Sequence, residues 1–134
     1  MKFRIVMVGF GRVAQSLAKI LVKKGAYLKR QFGFDYEIVA VADTVKGSVM
    51  SQRGLRPETL LSHVQEKGSV RDCAEGVGGL SAIETIEKAD ANVLVEATWT
   101  NLEDGEPGLS HIKKALSKGL HVVTTNKGPI ALAY

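Results

Sequence analysis

Short apolar runs alternate along the chain with longer segments in which apolar residues recur at every third or fourth position. Continuous apolar runs of this length are typical of strands that are covered on both faces of a sheet. The recurring pattern instead predicts helices, because residues three and four apart share one helix face. The runs that predict strands cover residues 3–8, 37–42, 92–96 and 120–124. This alternation predicts an α/β fold with a doubly wound parallel sheet in three layers, α/β/α.

The predicted helices are bounded by recognisable signals. The first could end at Gly25 or extend to about Gly33. Pro57 favours the first turn of a second helix. Ser81 and Glu84 have the spacing of a capping box, which begins a third. The helices expected after the first cover residues 57–66, 81–88 and 109–116.

The middle of the chain, from about residue 44 to residue 80, is less periodic than the rest. The helix over residues 57–66 is the one regular element that the pattern indicates there. Gly76, Gly78 and Gly79 predict a loop, whose function the sequence does not indicate.

Composition narrows the class of protein. The chain has 134 residues, of which 45% are hydrophobic and 24% charged, as in an ordinary globular domain. Its net charge of +4 is small, and the basic residues are not interleaved with aromatic platforms, so we expect no nucleic-acid partner. No apolar run approaches the roughly 20 residues that span a bilayer, so we expect no membrane partner.

The residues that could support metal or thiol chemistry are few. A lone cysteine, Cys73, cannot form an internal disulfide, which favours a reducing, cytoplasmic location. His63, His111 and His121 do not have the spacing of a metal site, so we predict no metal and a structural role for each.

A glycine-rich turn joins the first predicted strand to the first helix. Gly9, Gly11 and Ala14 form a G-x-G-x-x-A pattern, in which the glycines permit a tight turn and the close approach of a pyrophosphate. The helix start adds free N–H groups and the positive end of a dipole. We therefore predict a Rossmann-type fold that binds NAD or NADP. The cofactor contacts predicted in this turn are Gly9, Phe10, Gly11, Arg12 and Val13.

Asp43 follows the second predicted strand and is a further cofactor-binding candidate. A carboxylate at this position can accept hydrogen bonds from the adenosine ribose hydroxyls, although it could instead cap a turn. Asp43 alone favours NAD, because its charge would repel a 2′-phosphate. Arg12 and Lys46 are close enough in sequence to bind that phosphate. The choice between NAD and NADP therefore stays open.

Two polar segments follow the last two predicted strands. The first reads TWTN over residues 98–101 and the second reads NKGP over residues 126–129. With the glycine turn and the long first helix, they resemble the nucleotide-binding domain of the homoserine dehydrogenase family. The resemblance extends over nearly the whole chain, and Trp99 stands where the family pattern has proline.

The resemblance implies roles for three residues of these segments. Thr98 and Asn101 would lie beside the nicotinamide, and Lys127 would contact the cofactor and act as the catalytic residue at the reacting carbonyl. An ammonium there can offset alkoxide charge and deliver a proton. On the residues alone, Thr98 and Asn101 could equally cap turns, and Lys127 could be a solvated loop lysine. Glu96 could polarise or position a group, or pair with a backbone N–H.

The resemblance also implies a domain organisation and an activity. Residues 1–134 would form the NAD(P)-binding domain, without the substrate and dimerisation domain of the family. The full-length protein would be a homodimer that transfers hydride between NAD(P)H and L-aspartate 4-semialdehyde, giving L-homoserine. We expect this chain alone to bind nucleotide with little turnover. A non-catalytic redox-sensing module and another amino-acid or semialdehyde dehydrogenase are the alternatives.

Overall fold

The computed structural model describes residues 2–73 and 75–133, so Met1 and Tyr134 at the predicted domain bounds, and Ala74, lie outside the described residues. The strands are β1 (Lys2–Val8), β2 (Asp35–Asp43), β3 (Gly47–Leu55), β4 (Val77–Gly78), β5 (Val93–Glu96) and β6 (His121–Thr124). The helices are α1 (Arg12–Phe32), α2 (Pro57–Lys67), α3 (Ala82–Lys88), α4 (Gly108–Ser117) and α5 (Lys127–Ala133). The six strands form one sheet in the order β4-β3-β2-β1-β5-β6.

The centre of the sheet is parallel and is covered on both faces. Strands β2, β1, β5 and β6 pair in parallel. Alternate residues of β1 enter different cores, because successive side chains in a strand point to opposite faces. Met7 packs in the core that includes residues of α1 and α2. Val8 packs in the core that includes residues of α3 and α4. The predicted doubly wound, three-layer fold is confirmed for this part of the sheet.

The other edge of the sheet differs from the sequence prediction. Strand β3 pairs antiparallel with β2, and β4 pairs antiparallel with β3. The sequence pattern did not indicate these two strands, and Val77 and Gly78 of the predicted glycine loop form the short β4. The reason lies in the β3 sequence, GSVMSQRGL, where exposed polar residues and two glycines hide the apolar pattern of a strand.

Helix α1 takes the longer of its two predicted courses. It continues through Gly25 to Phe32, and Gly33 ends it in the left-handed conformation with a φ of 65°. A left-handed glycine at this position is a frequent helix terminator, since its N–H reaches back to the last turn. The position of Gly25 also has a packing reason, because a Cβ there would lie 3.3 Å from the ring of Tyr36.

The remaining helix signals agree with the structure. Ser81 and Glu84 form the predicted capping box, in which each side chain accepts a hydrogen bond from the other's backbone N–H. Helix α2 begins at Pro57, and Gly119 follows α4 with a φ of 77°. Among the helices of the described part of the chain, none has the length and apolar character needed to cross a membrane.

Candidate functional site: a cleft at the carboxyl ends of the parallel strands

A cleft with a volume of about 1060 Å³ opens where β1, β2 and β5 end. Ligands of open α/β sheets bind at this edge, outside the carboxyl ends of the strands. The walls come from the glycine turn, the β2–β3 turn, the segment from β4 to α3, and the segment after β5. Representative residues of these walls and of α4 are Gly11, Asp43, Gly79, Thr98 and His111.

The two glycines of the turn have different surroundings. Gly9 has a φ of 85°, and a Cβ on it would lie 2.7 Å from the carbonyl carbon and oxygen of Ala97. Gly9 therefore lets the turn pack against the backbone that follows β5. A Cβ on Gly11 would meet nothing within 4 Å, and Gly11 caps α1 without a side-chain hydrogen bond. The first N–H groups of α1 are thus available to an anion in the cleft.

The other predicted residues of the turn divide between core and cleft. The Phe10 side chain is fully buried in the core, and its backbone N–H donates to Asp43 while its carbonyl accepts from Gln15. Arg12 and Val13 are exposed and line the cleft. Ala14 is buried, as expected for a small residue between helix and strand. Gly9, Gly11, Arg12 and Val13 are therefore the predicted contacts that border the open volume, and Phe10 is not.

Asp43 lines the cleft and also closes the turn between β2 and β3. Its carboxylate accepts backbone N–H groups from Phe10 at 2.7 Å and from Val45 and Lys46 at 2.8 Å. Burial raises the pKa of Asp43, but these hydrogen bonds and the Lys46 charge outweigh it and hold that pKa below its ordinary value. A carboxylate has roughly four acceptor positions, so one remains for a ligand hydroxyl. Turn capping and ligand binding are compatible at this residue.

The positive charges that line the cleft are only partly those that the sequence suggested. Arg71, between α2 and β4, lines the cleft together with Arg12, whereas Lys46 is not among the lining residues. The Arg71 side chain lies over Gly47, where a Cβ would be 2.2 Å from its Cγ. Sequence reasoning missed Arg71 because nothing in its spacing marks a contact with the β2–β3 turn. The sequence signal for this contact is Gly47, because a turn glycine leaves room for a long side chain to lie over it.

A buried polar network lies at the end of β5. Glu96 is fully buried, and its Oε2 lies 2.6 Å from Nδ1 of His111 on α4. Its Oε1 accepts the Thr98 N–H at 2.8 Å and also the Thr98 hydroxyl. Burial raises the pKa of Glu96, but the hydrogen bonds from His111 and Thr98 outweigh this effect and leave that pKa below its ordinary value. Sequence reasoning left the role of Glu96 open and did not pair it with His111.

Asn126 connects this network to the second polar segment. Its side-chain amide donates to the Thr98 hydroxyl at 3.2 Å and to the carbonyl of Trp99 at 3.3 Å. Its carbonyl oxygen accepts the N–H of Gly128 at 3.1 Å. The two segments predicted from the resemblance, 98–101 and 126–129, are therefore held side by side.

The three residues assigned from the resemblance lie at different distances from the open volume. Thr98 borders the cleft. Asn101 is not among the lining residues, and its side-chain oxygen accepts the Glu103 N–H at 2.9 Å, which is turn capping. Lys127 begins α5 and is exposed, outside the lining residues of the cleft.

The residues His63, Cys73 and His121 are not among those that line the cleft. Cys73 is buried in the core and does not line the cleft. Within residues 2–73 and 75–133, no group of three or more His, Cys, Asp and Glu side chains is arranged to hold a metal ion.

Comparison with known proteins assigns the chain to a family. Residues 9–134 match the family described as the homoserine dehydrogenase NAD-binding domain. The NAD(+)-dependent homoserine dehydrogenase of Pseudomonas canavaninivorans is 39% identical over 131 residues, which are 98% of this chain and 37% of that protein. The homoserine dehydrogenase of Methanocaldococcus jannaschii is 36% identical over 130 residues, which are 97% of this chain and 38% of that protein. The chain thus spans well under half the length of these relatives.

A solved structure gives the same result. A hyperthermophilic archaeal homoserine dehydrogenase mutant in complex with NADPH superposes with a TM-score of 0.82 at 27% identity, covering 100% of this chain and 39% of that one. The predicted Rossmann-type fold and the resemblance stated from the sequence are both confirmed. The chain belongs to the homoserine dehydrogenase family, in which it corresponds to the NAD-binding domain.

Proposed function

We propose that this chain is the cofactor-binding domain of an enzyme that transfers hydride between NAD(P)H and L-aspartate 4-semialdehyde, giving L-homoserine. The observation that carries the proposal is that Gly11, Asp43 and Thr98 line one and the same cleft. These residues follow three neighbouring parallel strands, so a dinucleotide laid across the strand ends would meet all three.

Each part of the cofactor has a complementary part of the cleft. The pyrophosphate would lie over Gly11, where nothing fills the space and the N–H groups of the first turn of α1 are available. The adenosine ribose would lie beside Asp43, which keeps one acceptor position. The nicotinamide would lie beyond the turn, beside Thr98. Asn101 and Lys127 do not line the cleft, so they would contact only a part of the cofactor that extends out of it.

When bound, the reduced cofactor supplies the hydride that the aldehyde carbon accepts. Lys127 would place its ammonium near the aldehyde oxygen, where it offsets the developing negative charge and donates the proton that gives the alcohol. Asn126 would position Lys127, because its side chain bonds Trp99 in the first polar segment and Gly128, the residue after Lys127, in the second.

The remaining parts of the activity lie beyond this chain. Because the chain spans 37% of the Pseudomonas relative, the residues that hold the substrate amino acid would come from the rest of the full-length protein. We place that protein in the cytoplasm, in agreement with the single, buried cysteine of this chain, and as a homodimer.

Cofactor binding is tested by titrating this chain with NADH and with NADPH, followed by nicotinamide fluorescence. We expect Gly11→Val to weaken both affinities at least tenfold, because its side chain would occupy the space of the pyrophosphate. The control is Ser16→Val, on the exposed part of α1. Failure of the unmodified chain to bind either cofactor would refute the proposed function.

The role of Lys127 is tested in a chain that carries the substrate domain. We expect Lys127→Ala to lower kcat for semialdehyde reduction about 100-fold or more, which is typical of losing a general acid. Lys113→Ala, an exposed lysine of α4, serves as the control. Activity of Lys127→Ala within a few fold of the unmodified enzyme would show that Lys127 has no catalytic role.

A further inference from the structure

We propose that His111 binds the carboxamide of the nicotinamide, and that Glu96 is the positioning residue that holds its ring for this contact. The proposal deepens the proposed function and rests on it, since it assigns a ligand group to one end of the same cleft. The sequence interpretation of His111 as purely structural is the alternative that the experiment below addresses.

His111 lies between a buried acid and the open cleft. It belongs to the first turn of α4, and its Nδ1 is 2.6 Å from Oε2 of Glu96. Its side chain is 7% exposed, yet the residue lines the cleft together with Pro107, Thr98 and Thr100. The Nδ1 edge of the ring therefore contacts Glu96 in the protein interior, while another part of His111 borders the cleft.

The second ring nitrogen is the group available to a ligand. Within residues 2–73 and 75–133, the structure gives the His111 side chain one hydrogen bond, at Nδ1. In the same part of the chain, one side-chain nitrogen or oxygen, Nδ1 of His63, is fully buried without a hydrogen-bond partner. Nε2 of His111 is not in that state. His111 Nε2 is therefore not sealed in the core, and the cleft is the open volume that this residue borders.

Glu96 fixes which nitrogen of His111 carries a proton. An ionised carboxylate only accepts hydrogen bonds, so Nδ1 must be the donor to it. The other carboxylate oxygen accepts the Thr98 N–H and hydroxyl, which prevents Glu96 from rotating away. Nε2 then accepts a hydrogen bond when the ring is neutral and donates one when it is charged.

A primary carboxamide matches this behaviour of Nε2. It offers two N–H donors and a carbonyl acceptor, so one rotation about its bond to the pyridine ring suits either state of His111. The location agrees as well. Asp43 and Arg71 lie on the β2 side of the glycine turn, whereas His111 and Thr98 lie on the β5 side, where the opposite end of a dinucleotide would be.

The test compares two ligands that differ at the nicotinamide. NADH carries the carboxamide, and ADP-ribose has the same adenosine and pyrophosphate without it. The informative variant is His111→Asn, because the amide nitrogen of asparagine can replace Nδ1 as donor to Glu96 while nothing replaces Nε2. The control is Lys113→Asn, at an exposed position of the same helix.

We expect His111→Asn to weaken NADH binding about tenfold, the equivalent of one lost hydrogen bond, and to leave ADP-ribose binding within about twofold. Equal effects on both ligands, or no effect on either, would overturn the proposal while leaving the proposed function intact. Failure of the unmodified chain to bind both ligands would instead refute the proposed function.

A second variant tests Glu96 independently of the folding of His111→Asn. Glu96→Gln keeps the size of the side chain, but its amide can donate as well as accept, so the proton on His111 is no longer fixed. We expect the ratio of NADH to ADP-ribose affinity to fall about threefold. An unchanged ratio would show that Glu96 has only a structural role.

Discussion

The two ends of the cleft are built from different kinds of polar group. At the Asp43 end, one carboxylate is held by backbone N–H groups, and the nearby charges of Arg12 and Arg71 are exposed. At the Glu96 end, the carboxylate is fully buried and is held mainly by side chains. The arginine charges at the first end can therefore change at little cost in stability, whereas the Glu96 charge at the second end is part of the folded core.

The strongest way to test this difference is to remove the buried acid. Glu96→Ala would leave His111, Thr98 and Asn126 without their shared acceptor in the interior. We expect the free energy of unfolding to fall by about 3 to 5 kcal/mol, as when one partner of a buried pair is removed. Urea denaturation measures the effect, with Glu66→Ala on the exposed face of α2 as the control. A loss below about 1 kcal/mol would mean that the network does not stabilise the core.

The glycine turn between the two ends provides the next test. Gly9→Ala would force a left-handed φ on alanine and place its Cβ against the backbone of Ala97. We expect a loss of about 2 kcal/mol or more in the free energy of unfolding. Gly11→Ala should cost far less, since a Cβ there meets nothing within 4 Å. Equal losses in thermal denaturation of the two variants would contradict the division of roles between these glycines.

Acid should weaken both ends of the cleft. The pKa values of Asp43 and Glu96 are lower in the folded protein than their ordinary values, which are about 3.9 and 4.3 in unfolded chains. The unfolded state therefore binds more protons in acid, so the stability from both groups is present above these values and is lost as pH falls through the folded pKa values. Urea denaturation between pH 6 and pH 3 should show a decline.

The decline should be smaller in both Glu96→Gln and Asp43→Asn than in the unmodified chain, because each substitution removes one acid whose pKa is lowered in the folded protein. Glu66→Gln is the control for the exposed acids. The same pH dependence in all three variants would show that neither end of the cleft is responsible for it.

The smallest expected effect concerns cofactor preference at the exposed end. Arg71→Ala should lower the ratio of NADPH to NADH affinity about threefold, since an exposed guanidinium beside the adenosine ribose is screened by water. Arg53→Ala, on the exposed part of β3, is the control. A fall in both affinities without a change in their ratio would mean that Arg71 does not distinguish the 2′-phosphate.

How much of the fold and of the candidate site could be predicted depended on how many residues separate the interacting groups along the chain. The glycine turn, its helix and the position of Asp43 follow from local patterns, because neighbours in sequence build them. Strand β3 was missed because exposed polar residues interrupt its apolar pattern and because its extended conformation depends on pairing with β2. Arg71 and the pairing of His111 with Glu96 were missed because their contacts join different elements, which no local spacing reveals.

Asp43 performs two tasks with one carboxylate, since it closes the β2–β3 turn and lines the cleft. A substitution of Asp43 that improved the fit to a phosphorylated ribose would also remove the hydrogen bonds that close the turn. A gain in affinity for that cofactor would therefore come with a loss of stability. Evolution of cofactor preference in this domain is therefore expected to keep the acid and proceed through its neighbours. Arg12 and Arg71 can be exchanged one at a time, and each intermediate along such a lineage would still fold.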